Sequence, residues 1–274
     1  MQTLTQPLLE NIINIAKAAG EQLKQLYARS VAIKIKADCT PVTEADLIIS
    51  QFLTERLKQL TPDIPVLSEE FCDIPFAERQ QWQEYWIIDP IDGTQQFINR
   101  TGQFSVVIAL VQKREGRNQP VLGVIHAPIL GKTYFSMEGS GSFLQENGEI
   151  RPLVKPKRAE NALLIVTVGS DLHAEQAKNA ISAPQIECVK YGSGSLKAGL
   201  VAEGKADCYI RFGDTGEWDT AVAEVLLSEM GGKIFDFNFS PLTYNQRESL
   251  INPYFVMVAD GSIDWDKIFG AVVD

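Results

Sequence analysis

Tyr85-Trp86-Ile87-Ile88-Asp89-Pro90-Ile91-Asp92-Gly93-Thr94 joins an apolar run rich in β-formers to two acids and a Gly-Thr pair. Pro90 has no N–H to give to a sheet ladder, so the sequence predicts a strand that stops at Asp89. The acids and the Gly-Thr pair suit a phosphate–metal site. Asp89 and Asp92 offer hard oxygen ligands for a divalent cation, and the Ile91 carbonyl offers another. Gly93 lets backbone approach a phosphate closely, and Thr94 brings a hydroxyl and an N–H at a predicted helix start. Asp, Pro and Gly are equally common in β-turns, so these positions alone leave both readings open.

Composition narrows the chemistry. The chain has 274 residues, 45% of them hydrophobic and 22% charged, enough for one large domain or two packed subdomains. A net charge of −10 argues against a nucleic-acid polymer as partner, because phosphate-backbone binding needs a basic surface. A small phosphorylated ligand remains compatible if cations neutralise its site locally. With His126 and His173 as the only histidines, carboxylates must carry any metal, which favours magnesium or manganese. Cys39, Cys72, Cys188 and Cys208 lack C-x-x-C spacing, so neither a zinc site nor a disulfide framework is expected. Residues 1–7 have no basic segment leading into an apolar one, and no apolar run approaches membrane-spanning length. A cytoplasmic protein without membrane insertion is the expectation.

Along the chain, apolar spacing predicts a helix over 7–28, a short strand over Val31 to Lys36, and a second helix opened by Thr43-Glu44-Ala45-Asp46. Thr-x-x-Asp before an apolar run is a capping-box pattern, which gives Asp46 a purely structural reading. Ile64 to Leu67 reads as a strand that delivers Glu69 beside Asp89 and Asp92. Phe104–Val111, Val121–Ala127 and Thr133–Met137 read as an antiparallel meander, with His126 packed inside it. Residues 146–158 are polar and contain proline, the best candidate for a subdomain boundary.

The second half alternates strands (Ala162–Val168, Ile186–Val189, Asp207–Arg211) with helices, which predicts a sheet of parallel character covered by helices. Gly192 to Ser195 reads either as a phosphate cradle or as a plain helix cap. Lys197 and Arg211 read either as facing an anionic ligand or as surface ion pairs. Asp219 stands in the first turn of a helix that Gly231-Gly232 stops, where the helix dipole favours a carboxylate in any protein.

Leu67-Ser68-Glu69-Glu70, Asp89-Pro90-Ile91-Asp92-Gly93-Thr94 and Trp218-Asp219-Thr220-Ala221 resemble, in order and separation, the three motifs of the inositol monophosphatase superfamily. Further stretches resemble its branch of bacterial 3'(2'),5'-bisphosphate nucleotidases, among them Arg211-Phe212-Gly213 and Arg247-Glu248-Ser249-Leu250-Ile251-Asn252-Pro253. The likeness spans nearly the whole chain. It implies an α+β fold layered α-β-α-β-α, with a meander sheet in residues 1–155 and a mixed, helix-covered sheet in residues 156–274. It makes Glu69, Asp89, Asp92, Asp219 and the Ile91 carbonyl ligands of two magnesium ions, or three with one loosely held, with manganese as a substitute. Asp46, Thr94 and Glu69 become the catalytic set, with Asp46 and Thr94 orienting the attacking water.

By the same resemblance Glu69, Ile91, Asp92, Gly93, Thr94, Ser195, Lys197, Arg211 and Asp219 surround the substrate. That substrate is a small phosphorylated nucleotide, adenosine 3',5'-bisphosphate, with lithium as an inhibitor and a monomer or homodimer as the assembly. Three departures stand out. The third motif runs on as Ala221-Val222-Ala223 where relatives commonly have a small Ala-Gly ending. Gly194 stands where relatives often carry Ser, and Asp171, followed by His173, stands where many have a His. The rival readings are an inositol- or sugar-phosphate phosphatase and a non-catalytic phosphonucleotide sensor. A glycosidase built on paired carboxylates has no use for Asp-Pro-Ile-Asp-Gly-Thr.

Overall fold

The computed structural model describes residues 1–29, 32–35, 41–157, 163–182 and 185–269. Helix α1 (Gln6–Tyr27) starts at Thr5, whose hydroxyl accepts from Leu8 N, and it buries Leu9, Ile12, Ala16, Ala19 and Leu23 on one face. Strands β1 (Ile33–Ile35) and β2 (Pro41–Thr43) form a small antiparallel pair. Val31, Lys36 and the stretch 37–40 with Cys39, all part of the predicted strand and loop, lie outside the described residues. Helix α2 (Glu44–Leu60) opens on the expected capping box of Thr43 and Asp46.

Strand β3 (Val66–Ser68), the short helix α3 (Phe76–Arg79), strand β4 (Glu84–Asp92) and the short helix α4 (Thr94–Ile98) are next in the chain. Then come β5 (Ser105–Arg114), β6 (Arg117–Ala127), β7 (Lys132–Met137), β8 (Gly141–Glu146) and β9 (Glu149–Leu153). Together β3 to β9 make one seven-stranded sheet in sequence order, antiparallel except for the β3–β4 pair. The meander is thus two strands longer than its sequence signal. Glu146-Asn147-Gly148 is the tight turn of the β8–β9 hairpin, with Asn147 and Gly148 both at positive φ.

Pro90 does not end β4, which corrects the reading from sequence. Asp89 pairs with Val107 and Asp92 with Ser105, so β4 carries one residue more than its partner between those pairs. Pro90 and Ile91 occupy the resulting bulge, where a missing ladder donor costs nothing, and Ile91 N donates to Asp89 Oδ1 at 3.0 Å.

The second sheet is built from β10 (Leu164–Val168), α5 (Asp171–Ala180), β11 (Ile186–Lys190), α6 (Gly194–Ala202), β12 (Cys208–Arg211), α7 (Trp218–Ser228), β13 (Lys233–Asp236), β14 (Phe255–Val258) and α8 (Trp265–Phe269). Its strand order is β11-β10-β12-β14-β13, with β11 and β12 parallel to β10 and β14 antiparallel to both its neighbours.

The layers result from strand alternation, which sends successive side chains to opposite faces. Trp86 and Ile88 of β4 pack under α1 and α2 with Ile12, Leu23 and Ile49. Tyr85 and Ile87 face the other way, toward Leu196 of α6, Val222 and Leu226 of α7, and Tyr209 and Met257 of the second sheet. The far face of that sheet buries Val166, Ile210 and Val256 against Ala177 of α5 and Phe269 of α8. The result is an α-β-α-β-α sandwich. Among the described residues no helix is long and apolar enough to cross a membrane.

Candidate active site

Three of the four expected carboxylates, Asp89, Asp92 and Asp219, meet where β4 ends and α7 begins, and Glu69 follows β3 next to them. The parallel β3–β4 pair sets Ser68 opposite Ile88, and Glu69 N donates to Ile88 O at 3.1 Å, which puts Glu69 beside Asp89. The β4 bulge presents Asp89 and Asp92 together. The first turn of α7 brings Asp219 across from the middle layer, and ligand atoms of Asp89, Asp92 and Asp219 lie within 4.8 Å of one another. Burial pushes the Asp89 and Asp219 carboxyls well above their ordinary range, and the charges of Glu69 and Asp92 push in the same direction. Such a group of all-oxygen donors, Asp89 and Asp92 buried and Asp219 half-buried, fits a hard divalent cation.

Two adjoining cavities of about 340 and 220 Å3 share Glu69, Asp92, Gly93, Thr94, Arg211, Thr215 and Asp219. Cavities of about 490 and 510 Å3 elsewhere contain no residue of the three motifs. Gly93 needs its lack of side chain: it sits at φ +96°, and a Cβ there would lie 3.0 Å from Gln103 O and 3.2 Å from Ser193 Cβ. Thr94 opens α4 directly after it. The Thr94 hydroxyl lies 3.1 Å from Asp46 Oδ1 and 3.2 Å from the Ile91 carbonyl, and it can donate to either. Asp46 Oδ2 meanwhile accepts from Thr43 N at 2.7 Å and Thr43 Oγ1 at 2.6 Å. The two oxygens therefore serve the cap and Thr94 separately, and the two readings of Asp46 are compatible.

The Gly192–Ser195 turn both caps α6 and cradles a carboxylate of its own chain. Ser193 Oγ accepts from Leu196 N and donates to Asp92 Oδ2 at 2.5 Å. Gly194 N donates to Asp92 Oδ1 at 3.0 Å and Ser195 N to Oδ2 at 2.6 Å. The helix N-terminus thus points at Asp92. Ser195, expected at the substrate, is buried with its hydroxyl on Asp92 and Ser105. Sequence alone singled out this Gly-Ser turn but not its occupant, because the occupant lies about a hundred residues away.

Among the described residues neither cation, Lys197 or Arg211, forms an ion pair. Lys197 is buried, donates to Ser193 O at 2.6 Å and Tyr191 O at 3.2 Å, and lies 5.0 Å over the Tyr209 ring. Burial lowers its pKa to about 8, against the opposing pull of Asp92. Arg211 donates to Asp214 O at 2.9 Å, and both cations line the larger of the paired cavities. Asp171 turns outward to Lys190 at 2.8 Å. His173 instead sits over Phe212, with burial and the charges of Arg211 and Lys197 lowering its pKa. His126 is packed in the meander, its Nδ1 2.9 Å from Thr133 Oγ1.

Comparison with known proteins agrees with this fold. The sequence profile described as the inositol monophosphatase family matches residues 4–262. A protein of Aggregatibacter actinomycetemcomitans named 3'(2'),5'-bisphosphate nucleotidase CysQ is 55% identical over 271 residues, covering 98% of this chain and 99% of its own. The protein of the same name from Haemophilus influenzae is 54% identical over 270 residues, with 98% and 99% coverage. The crystal structure of CysQ from Bacteroides thetaiotaomicron, described as a bacterial member of the family, superposes with a TM-score of 0.76 at 32% identity, covering 93% of this chain and 97% of that one. With the motifs, the layered fold and a near full-length profile match in agreement, this chain belongs to the inositol monophosphatase family.

Proposed function

We propose that this protein hydrolyses the 3'-phosphate of adenosine 3',5'-bisphosphate, giving AMP and phosphate, with magnesium as cofactor and lithium as inhibitor. The observation that carries the proposal is the carboxylate cluster of Asp89, Asp92 and Asp219 with the Thr94–Asp46 hydrogen bond beside it and two cations lining the same cavity. The full-length likeness to proteins named 3'(2'),5'-bisphosphate nucleotidase selects the nucleotide over an inositol phosphate.

Glu69, Asp89, Asp92, Asp219 and the Ile91 carbonyl would hold two magnesium ions, which supply charge neutralisation at the phosphate and make a water molecule easier to deprotonate. The side chains do the rest. Thr94 Oγ1, with its proton directed at Asp46 Oδ1, keeps a lone pair for a proton of the attacking water. The N-terminus of α4 behind Gly93 offers backbone N–H groups to phosphate oxygens. Lys197 and Arg211 offset the second phosphate in a chain that is otherwise strongly acidic. Positioning and charge account for most of the rate in such a transfer, because the phosphoryl group needs little covalent help.

The test is phosphate release with magnesium from adenosine 3',5'-bisphosphate and inositol 1-phosphate in parallel, with and without lithium. Preference for the nucleotide, inhibition by lithium, and a loss of about 10²–10⁴-fold in Thr94→Val are expected. Preference for the inositol ester would sink the substrate and keep the site. Binding of nucleotide without release of phosphate would identify a sensor instead.

A further inference from the structure

The polar stretch that ends in Asn252-Pro253 has no part in the reaction as described, yet it packs against the loop that delivers Asp219. Asn252 is 4% exposed. Its backbone N donates to Thr215 O at 2.8 Å, and its Nδ2 donates to Gly216 O at 2.6 Å, with Thr215 Oγ1 and Thr220 Oγ1 each 3.3 Å away. A carbonyl can only accept, so Gly216 O fixes which end of the amide faces it.

Gly216 passes this on to Asp219. Its N–H donates to Asp219 Oδ2 at 2.7 Å, and its carbonyl also accepts Asp219 N at 3.1 Å. The Trp218 ring lies over Gly216 so closely that a Cβ there would run into it. Oδ2 is committed to Gly216, while Asp219 Oδ1 and Asp92 Oδ1 both face Gly194, each 3.7 Å from where a Cβ would stand there.

We infer that Asn252 is a positioning residue for the metal site: its Nδ2 holds the Gly216 carbonyl that also accepts Asp219 N, its backbone N–H holds the Thr215–Gly216 peptide whose N–H fixes Asp219 Oδ2, and together they set where the Asp219 carboxylate points. The inference rests on the metal reading of the carboxylate cluster and not on the identity of the substrate. Its support is the two-step hydrogen-bond path from Asn252 Nδ2 through Gly216 to Asp219. Outer partners of this kind typically govern metal affinity by 10–100-fold.

The test is Mn2+ binding to the full chain, read by electron paramagnetic resonance, in wild type, Asn252→Leu and Asn252→Ser. Leu keeps the volume without donors, and Ser keeps a donor too short to reach Gly216 O. Both variants are expected to bind Mn2+ about tenfold or more weakly, with the KM for nucleotide at saturating metal changed less than threefold. Folded variants, by circular dichroism, that bind Mn2+ as wild type does would overturn the inference. Loss of fold in both would also overturn it, in favour of a purely structural asparagine. A wild-type protein inactive on the nucleotide would sink the proposed substrate while leaving the Mn2+ comparison decisive.

Discussion

Asp46 shows how one side chain satisfies a local rule and a distant one together, since its oxygens point to Thr43 and to Thr94. The capping half was legible from local spacing because its partner is three residues away; the pairing with Thr94, 48 positions further on, was reached only through the family resemblance. Ser195 is the opposite case, where the residue type suggested a ligand contact and the fold turned the hydroxyl to Asp92. His126 was legible as a packed residue, and its burial has a measurable consequence. Burial, reinforced by Lys17 and Lys24 and opposed by Glu21, lowers its pKa from 6.5 to about 4. The folded protein therefore keeps the ring neutral between those values while the unfolded chain takes up a proton. The stability this contributes is complete above pH 6.5 and is lost as pH falls toward 4, a change of roughly 3 kcal/mol. His126→Gln should flatten urea-measured stability across that window relative to wild type. Parallel pH profiles for the two proteins would refute the assignment.

Elements were easier to find than to terminate. The amphipathic period marked α1 and α2, and the cap at Thr43 marked the start of the second, since these signals lie within one or two turns. The end of β4 was misjudged because a bulge depends on how many residues the partner strand spends, and β5 is not adjacent in that count. Packing between elements explains the unusual Ala221-Val222-Ala223 ending of the third motif. Helix α7 crosses β6 at Gly123, where a Cβ would lie 2.7 Å from Val222 Cγ1 and 3.1 Å from Val225 Cγ1. The bulk that Val222 adds to the helix is thus accommodated by a glycine on the sheet. Gly123→Ala should destabilise the protein by about 1–3 kcal/mol through overpacking. Val222→Ala in the same background should recover about half of that loss, a coupling readable in a double-mutant cycle by chemical denaturation. Additive effects would show that the two residues do not share the contact.

Across the whole molecule, the carboxylate cluster joins layers that are distant in sequence. Asp89 and Asp92 belong to the first sheet, and Asp219 starts a helix packed between the two sheets. The fold holds like charges together at a cost that the hydrophobic layers bear, in a chain whose net charge is already −10. A cation that binds only the folded protein should therefore stabilise all layers at once. At a magnesium concentration a hundred times its dissociation constant, linkage gives about 2.7 kcal/mol. At about 2–4 °C per kcal/mol for a domain approaching this size, Tm should rise by about 5–10 °C over the chelator-treated protein. Asp219→Asn separates the two contributions. Removing one of the repelling charges should leave the metal-free Tm at or above that of wild type, while the magnesium-dependent rise shrinks because a ligand has gone. Scanning calorimetry with EDTA and with magnesium reads both quantities. A wild-type Tm indifferent to magnesium would mean that the cluster does not hold it, whereas a metal-free Asp219→Asn protein that melts well below wild type would mean that Asp219 supports the fold by contacts outweighing its repulsion.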